Sequence, residues 1–376
     1  MKVLGFEWQG RKVLVTGASG FKGGWLCAAL LQLGARVSGT VSNHRSPLSA
    51  FEVFGLDGRV NKLSVDISDR QQVYDQLNKA EPDVIFHLAA KALVPDGLRD
   101  PRRTFDVNIM GTLNIIEACR KLKVCNRLLI CSTDHVFGHV KPEDLPPGGF
   151  VERARVSYGG PYDTSKAAME LMVRCYHYTY WSELPAIGIT RCANVFGFGD
   201  TNHRRVIPFF IRSALNERVI PLKYRKNGRQ FIHVTDAITG YLRAASSLGE
   251  GGTHEKTGRP RPEDDRSPFT PTFHFTIEQY TGTAEPYITM EGLAQQVASL
   301  HSARVDDSNC TDWAPNENKL QALNCQATRE ALWWKAKKSL PEALTDLGLW
   351  YQAEEDRASL NQLLDKDLAE VIAGVA

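Results

Sequence analysis

The chain has 376 residues, 43% hydrophobic and 23% charged, the balance of a soluble globular fold with core enough for one or two domains. A formal net charge of +2 excludes the strongly basic surface of a nucleic-acid or acidic-membrane binder. No apolar run reaches the roughly 20 residues of a membrane span, and the opening MKVLGFEWQGRK lacks a signal-peptide core, so a cytoplasmic protein without nucleic-acid or membrane partners is expected.

Short apolar runs alternate with amphipathic ones through the first half. The pattern predicts a strand over 13–16, a helix over 24–33 stopped by Gly34, and strands over 36–41 and 63–65. A helix follows over 71–78, a strand over 84–88, a long helix over 104–121, and strands over 128–132 and 187–191. Alternation of this kind implies an α/β fold, a Rossmann-type doubly wound parallel sheet covered on both faces. Residues 1–193 are assigned to it, with 229–248 returning to it. Residues 194–376 form mainly a smaller C-terminal α/β domain for the substrate, with helices over 290–300 and 340–351. The stretch 248–272, rich in Gly, Pro and charge, reads as a long exposed loop. Trp333 and Trp334 read as packing residues, and Asp236 as the cap of the helix that follows it.

The 8 cysteines include no Cys-x-x-Cys pair. Cys119, Cys125 and Cys131 share a spacing of six, but one falls in a predicted helix and another at a strand end. They read as free thiols of a reducing compartment, and no metal site is expected.

VTGASGFKG follows the first strand and opens a helix, with glycines at 17, 20 and 23. Gly17 can turn sharply, Gly20 lets backbone N–H groups approach a pyrophosphate, and Gly23 lets helix and sheet pack closely. The helix N-terminus then favours the anion. At the end of the second strand, Thr40-Val41-Ser42-Asn43-His44-Arg45 carries no acid. Arg45 either accepts the 2′-phosphate of NADP or is a solvated loop residue, so NAD and NADP both stay open. Asp66, after the third strand, either bonds the adenine or caps a turn.

CSTDHVFG ends a core strand on Ser132, Thr133, Asp134 and His135. It is either a polar turn or an active site at a strand's C-terminal end. GGPYDTSK places Tyr162 and Lys166 four residues apart on one helical face. An ammonium beside a phenol stabilises the phenolate, so the pair is expected to lower the Tyr162 pKa and act in alcohol oxidation.

Together these motifs resemble the extended short-chain dehydrogenase/reductase superfamily. The resemblance rests on Gly17, Gly20 and Gly23, Asp66, HLAAK at 87–91, Asn108, Ser132-Thr133, Tyr162/Lys166 and RCANVFG at 191–197. Within it the chain is similar to the CDP-glucose 4,6-dehydratase family, through FEWQGRKVLVTGASGFKGGWL and NCQATREALWWKAKKSLPEALTDLGLWYQA. That resemblance implies a cofactor, NAD, held by Gly17, Gly20, Phe21, Gly23, Asp66 and Ile67. Leu88, Ala89, Ala90, Asn108, Tyr162 and Lys166 complete the implied cofactor set. It implies a nucleotide sugar held by Lys91, Thr133, Asn194 and Arg229. The implied reaction oxidises C4 of the hexose, eliminates water across C5–C6 and returns hydride to C6. Tyr162 takes the C4 hydroxyl proton with Lys166 beside it, and Thr133 bonds the C4 oxygen. Asp134 protonates the departing hydroxyl, and His135 stands where a Glu or Lys serves as the C5 base in relatives. The chain departs from the CDP-glucose pattern at Lys91, at 94–98 and at His135. An epimerase on the same scaffold and a non-catalytic nucleotide sensor are the alternatives. A homodimer through helices 104–121 and 164–179 is usual for the superfamily.

Overall fold

Seven parallel strands build the central sheet. In chain order they are β1 (Lys12–Thr16), β2 (Arg36–Thr40), β3 (Asn61–Leu63), β4 (Val84–His87), β5 (Arg127–Cys131), β6 (Ala186–Cys192) and β7 (Thr272–Phe275). The computed structural model describes residues 2–42, 46–249, 270–277, 285–314, 317–353 and 356–375. Spatial order is β7-β6-β5-β4-β1-β2-β3, so the winding reverses between β1 and β4. A crevice opens at such a reversal, outside the carboxyl ends of the strands. Alternate residues of one strand enter opposite cores: Val13 and Val15 face one, Leu14 the other.

The first core is filled by α1 (Phe21–Gln32) and, later in the chain, the helix Val234–Ser247. The second takes Val73 and Leu77 of α2 (Arg70–Ala80), Ile115 and Ile116 of α3 (Gly111–Leu122), and Met169 and Val173 of α4 (Pro161–Tyr180). Val234–Ser247, here α5, packs under β5 and β6 and against α1. The helix Arg357–Val375, here α6, packs on both α5 and α1. Trp25 of α1 donates from Nε1 to Phe198 O at 2.7 Å, and Phe198 stacks on Trp350 at 6.0 Å. Two small parallel pairs, Asn194–Phe196 with Phe231–His233 and Val219–Pro221 with Arg304–Asp306, stand apart from the central sheet.

Several expectations change. The helix predicted over 104–121 is three pieces: Pro101–Phe105, a π-helical turn over Asp106–Met110, and α3. The wide turn goes with an interaction outside the helix, because Asn108 bonds both the N–H (2.8 Å) and the carbonyl (3.1 Å) of Lys91. The third strand lies two residues earlier than the 63–65 expected. Thr272, the last residue of the expected loop, opens β7, which is wholly buried against β6. The rest of that loop, 250–269, and the Asn43–Arg45 cluster lie outside the described residues.

Trp334 packs as expected and donates from Nε1 to Asp236 O at 3.1 Å, but Trp333 is 84% exposed. Trp333 ends the helix Gln326–Leu332 in the left-handed region at φ 50°, which turns its ring outward. Asp236 does not cap α5, a place held by His233. Its carboxylate accepts instead from the backbone N–H groups of Lys337 and Lys338.

Candidate active site

β1 ends on Thr16, and Gly17 turns the chain at φ +73°. A Cβ on Gly17 would sit 3.0 Å from Ala89 N, and one on Gly23 would sit 2.1 Å from Gly17 O. The loop therefore closes on itself only with glycine at these positions. Thr40 at the end of β2 accepts from Gly17 N at 2.7 Å. α1 starts at Gly20 with no side-chain cap and no acidic residue in its first turn, leaving its N–H groups for an anion. His87 ties β1 to α3, with Nδ1 2.8 Å from Thr16 Oγ1 and Nε2 2.9 Å from Thr112 Oγ1. Burial, then the Lys166 charge, pulls its pKa down to about 3, so it stays neutral in this role.

A cavity of about 1060 Å³ runs from this loop to the ends of β4, β5 and β6. It brings together Gly17, Gly20, Phe21, Gly23, Asp66 and Ile67 from one end of the crevice. Leu88, Ala89, Ala90, Lys91, Thr133, Asp134, His135 and Tyr162 form its middle, and Asn194 and Arg229 its far side. Asn108 and Lys166 do not line it. Asn108 is buried behind the wall, where its amide also reaches Ser165 Oγ at 2.9 Å and holds Lys91 in place. Asp66 is gripped by Arg103, with Nη2 at 2.6 Å, and by Ser68.

β5 delivers the polar cluster. Its last residues pass into a turn of 3-10 helix, Asp134–Phe137, entered through Thr133. Thr133 Oγ1 donates to Asp134 Oδ1 at 3.0 Å. Asp134 is 4% exposed, and its Oδ2 has no hydrogen-bond partner among the described residues. Burial raises the Asp134 pKa, outweighing His135, the Thr133 bond and the Arg229 charge. A carboxyl so placed can hold a proton and give it up.

His135 meets a residue that the sequence did not single out. Its Nδ1 lies 2.8 Å from Asp163 Oδ1, in the first turn of α4, where Asp163 also accepts from Gly160 N at 3.3 Å. Burial alone would lower the imidazole pKa, but the Asp163 bond and the Asp134 and Asp163 charges raise it. The ring stands edge-on to Tyr162, with centroids 5.4 Å apart.

Tyr162 and Lys166 share the α4 face, but their expected effect is absent from this arrangement. The Lys166 Nζ donates to Cys131 O at 2.6 Å and lies 3.6 Å from Met169 Sδ; no hydrogen bond joins it to the Tyr162 hydroxyl among the described residues. Burial pushes the phenol up rather than down, and lowers Lys166 to about 8. Below them Glu170 and Arg191 form a fully buried pair, Oε2 to Nη2 at 2.6 Å and Oε1 to Nε at 2.9 Å. Ser132 Oγ donates to the same Glu170 at 2.6 Å, so the pair joins β5, α4 and β6.

Asn194 donates from Nδ2 to Gln230 O at 3.1 Å. Arg229 donates from Nη1 to Gly228 O at 2.9 Å and Lys319 O at 3.1 Å, with Glu317 at 3.8 Å from Nη2. These bonds hold the guanidinium at the cavity edge. Asp163, Lys22, Arg103 and Asn318 also line the cavity. Lys22 lies within the VTGASGFKG loop, the capping position of Asp163, three residues after Gly160, points only to helix initiation, and nothing in the local sequence of Arg103 or Asn318 marks them.

A model of the NAD dependent epimerase/dehydratase family matches residues 13–256. The chain is 26% identical to a CDP-glucose 4,6-dehydratase of Salmonella typhimurium, over 92% of each protein. It is 30% identical to a UDP-glucose 4-epimerase of Mycoplasma pneumoniae, over 62% of this chain and 71% of that one. Among solved structures it is similar to DesIV, a dTDP-glucose 4,6-dehydratase from Streptomyces venezuelae with NAD and TYD bound. That match has a TM-score of 0.71 at 22% identity and covers 93% of this chain and 99% of the other.

Proposed function

Because the chain belongs to the NAD dependent epimerase/dehydratase family, we propose that it is a sugar-nucleotide 4,6-dehydratase that uses NAD and converts CDP-glucose to CDP-4-keto-6-deoxyglucose. The observation that carries this reading is the Asp134 carboxyl, buried at the cavity wall with one oxygen unpartnered and a raised pKa. An epimerisation has no leaving hydroxyl to protonate, whereas a dehydration does. The likeness to a CDP-glucose enzyme over nearly the whole of both chains supports the choice of substrate.

NAD fits the residues present. The glycine cradle closes to the point where a Cβ would collide, and the uncapped α1 N-terminus faces the cavity. Gly17, Gly20, Phe21 and Gly23 would hold the diphosphate, Asp66 and Ile67 the adenine side, and Leu88–Ala90 the ribose and nicotinamide side. Bound there, NAD would supply the hydride acceptor for C4 and the hydride donor for C6. Tyr162 acts as its phenolate, the form that burial disfavours in this arrangement, and takes the proton of the C4 hydroxyl while Thr133 orients that oxygen. His135, held at Nδ1 by Asp163, takes the C5 proton at Nε2. Asp134 gives its proton to the C6 hydroxyl as water leaves. Arg229 and Asn194 bind the diphosphate of the sugar nucleotide, and Lys91 contacts its sugar.

In this reading residues 1–193 with 229–248 hold the cofactor, and 194–376 hold mainly the sugar nucleotide. A homodimer through α3 and α4 is supported by exposed Met110, Leu171 and Tyr178 on and beside those helices. The 8 cysteines form no disulfide among the described residues, which supports a reducing, cytoplasmic setting.

The test is incubation of the protein and NAD with CDP-glucose, dTDP-glucose, UDP-glucose and GDP-mannose separately, with products weighed by mass spectrometry. Loss of one water from CDP-glucose alone is expected. Loss from another substrate keeps the chemistry and moves the specificity. An unchanged mass with inverted C4 stereochemistry would overturn the dehydratase in favour of an epimerase.

A further inference from the structure

A second charged cluster lies under the glycine loop, outside the machinery assigned above. Lys22 stands in the first turn of α1, where the helix end disfavours a cation. Its side chain turns down to the end of β5. Nζ lies 3.1 Å from Cys131 Sγ and 3.1 Å from the Tyr241 hydroxyl, and that hydroxyl lies 3.2 Å from the same sulfur. The three groups form a closed triangle of polar atoms.

The hydrogens of this triangle can be placed by counting. An ammonium only donates, so Lys22 donates to both the sulfur and the phenol oxygen. Having accepted from Lys22, the Tyr241 hydroxyl has its own hydrogen to give; Cys192 also lies beside it, and Cys131 Sγ at 3.2 Å completes the triangle. Two donors therefore converge on Cys131 Sγ. A thiol proton would have to point to Ser132 O, at 3.7 Å the longest contact of the sulfur. Donors converging on a buried sulfur beside a lysine are the arrangement that holds a thiolate.

The backbone of the same cysteine meets the second lysine, because Lys166 Nζ donates to Cys131 O. Cys131 thus stands between two ammonium groups. Glu170 lies near, but its oxygens accept from Arg191 and Ser132. A half-buried Lys22 ammonium and a buried Lys166 ammonium around a neutral thiol would repel each other, and a thiolate between them offsets one charge.

We propose that Cys131 is a buried thiolate paired with Lys22, and that this pair is the positioning element that keeps the Lys166 ammonium charged beneath the cavity. The groups facing it are Lys22 from α1, Lys166 and Tyr162 from α4, Tyr241 from α5 and Cys192 from β6, with Arg205 facing Lys22. Burial alone would push the Cys131 thiol up; the Lys22 and Lys166 charges outweigh it and bring it below its ordinary value. Cys192, close by on β6, goes the other way, pushed by burial up to about 12.

The experiment is a pH titration of thiolate ultraviolet absorbance on the full chain, read as wild type minus Cys131→Ser. The expected difference is a step below the roughly 8.5 of a free cysteine. Lys22→Met moves the step to higher pH, and Lys22→Arg keeps it low. A step at or above that value, or one that Lys22→Met leaves in place, overturns the thiolate. Should Lys22→Met not fold, the wild-type step alone decides. Carbon NMR of the lysine side chains, with Lys166→Met for assignment, reads the second half. In Cys131→Ser the Lys166 midpoint falls to lower pH, and an unmoved midpoint overturns the positioning role. Neither measurement needs a substrate, so their failure is distinct from failure of the dehydratase reading.

Discussion

Nδ1 of His135 and Oδ1 of Asp163 lie 2.8 Å apart across the gap between the end of β5 and the first turn of α4. The carboxylate fixes the ring in the tautomer with its proton on Nδ1 and leaves Nε2 as the basic nitrogen. It also raises the imidazole pKa above its ordinary value once burial is overcome.

The sign of the pH dependence follows. A raised imidazole pKa means that the charged form is favoured by folding. Its contribution to stability is complete below about 6.5, the unfolded value, and is lost as pH rises through the higher folded value. The base form appears over the same rise, so turnover should increase with pH across it. Asp163→Asn removes the charge and moves this limb to lower pH, while turnover falls about tenfold or more through loss of ring orientation. A pH–rate profile of both proteins checks it; an unmoved limb would exclude His135 as the group that titrates.

Asp134→Asn should separate activity from stability. Turnover falls by about 10²–10⁴-fold, the usual contribution of a positioned acid. At pH above the raised Asp134 pKa stability rises by about 1–3 kcal/mol, because there an ionised carboxylate with an unpartnered buried oxygen is removed. The Asp134 pKa is raised, so its favourable protonated form is fully present below about 3.9 and is lost as pH rises through the folded value. The gain in the variant should therefore shrink on acidification. Chemical unfolding at two pH values measures this.

Glu170→Ala should unfold far more easily than wild type. It leaves Arg191, which is fully buried, without its carboxylate, a loss of about 3–5 kcal/mol. Burial would raise the Glu170 pKa, but Arg191 and Ser132 hold it below its ordinary value. Its contribution is present above about 4.3 and is lost as pH falls through the folded value. Wild-type unfolding midpoints should decline through that acid window, and those of the variant should be flatter.

Gly23→Ala tests the cofactor cradle. The added Cβ would lie 2.1 Å from a backbone carbonyl that cannot swing aside. Calorimetry should show NAD binding lost or weakened at least tenfold. Gly58→Ala, whose Cβ would meet nothing within 4 Å, should bind as wild type does.

Features fixed within a few residues of chain were legible in the sequence. The glycine spacing, the strand periodicity and the polar end of β5 all fall there, and the cavity gathers the loop, Thr133, Asp134, His135 and Tyr162. Features fixed by distant partners were not. The π-helical turn at Asp106–Met110 accompanies a bond to Lys91, and β7 is four residues whose partner strand ends 80 residues earlier. Spacing places Lys166 on the Tyr162 face, but the acceptor of its ammonium, the carbonyl of Cys131, comes from another element and is not legible there.

The contact between α1 and α6 bears on the order of events in folding. The first helix of the sheet finishes its burial only against the last helix of the chain. During synthesis, a nascent chain with its glycine loop and early strands already made still exposes part of α1 to water. The outer edge of β6 likewise waits for Thr272–Phe275. Such long-range closure slows folding and prolongs the life of partly assembled intermediates. Dependence on chaperones should thus concentrate in the time before the C-terminal helix emerges.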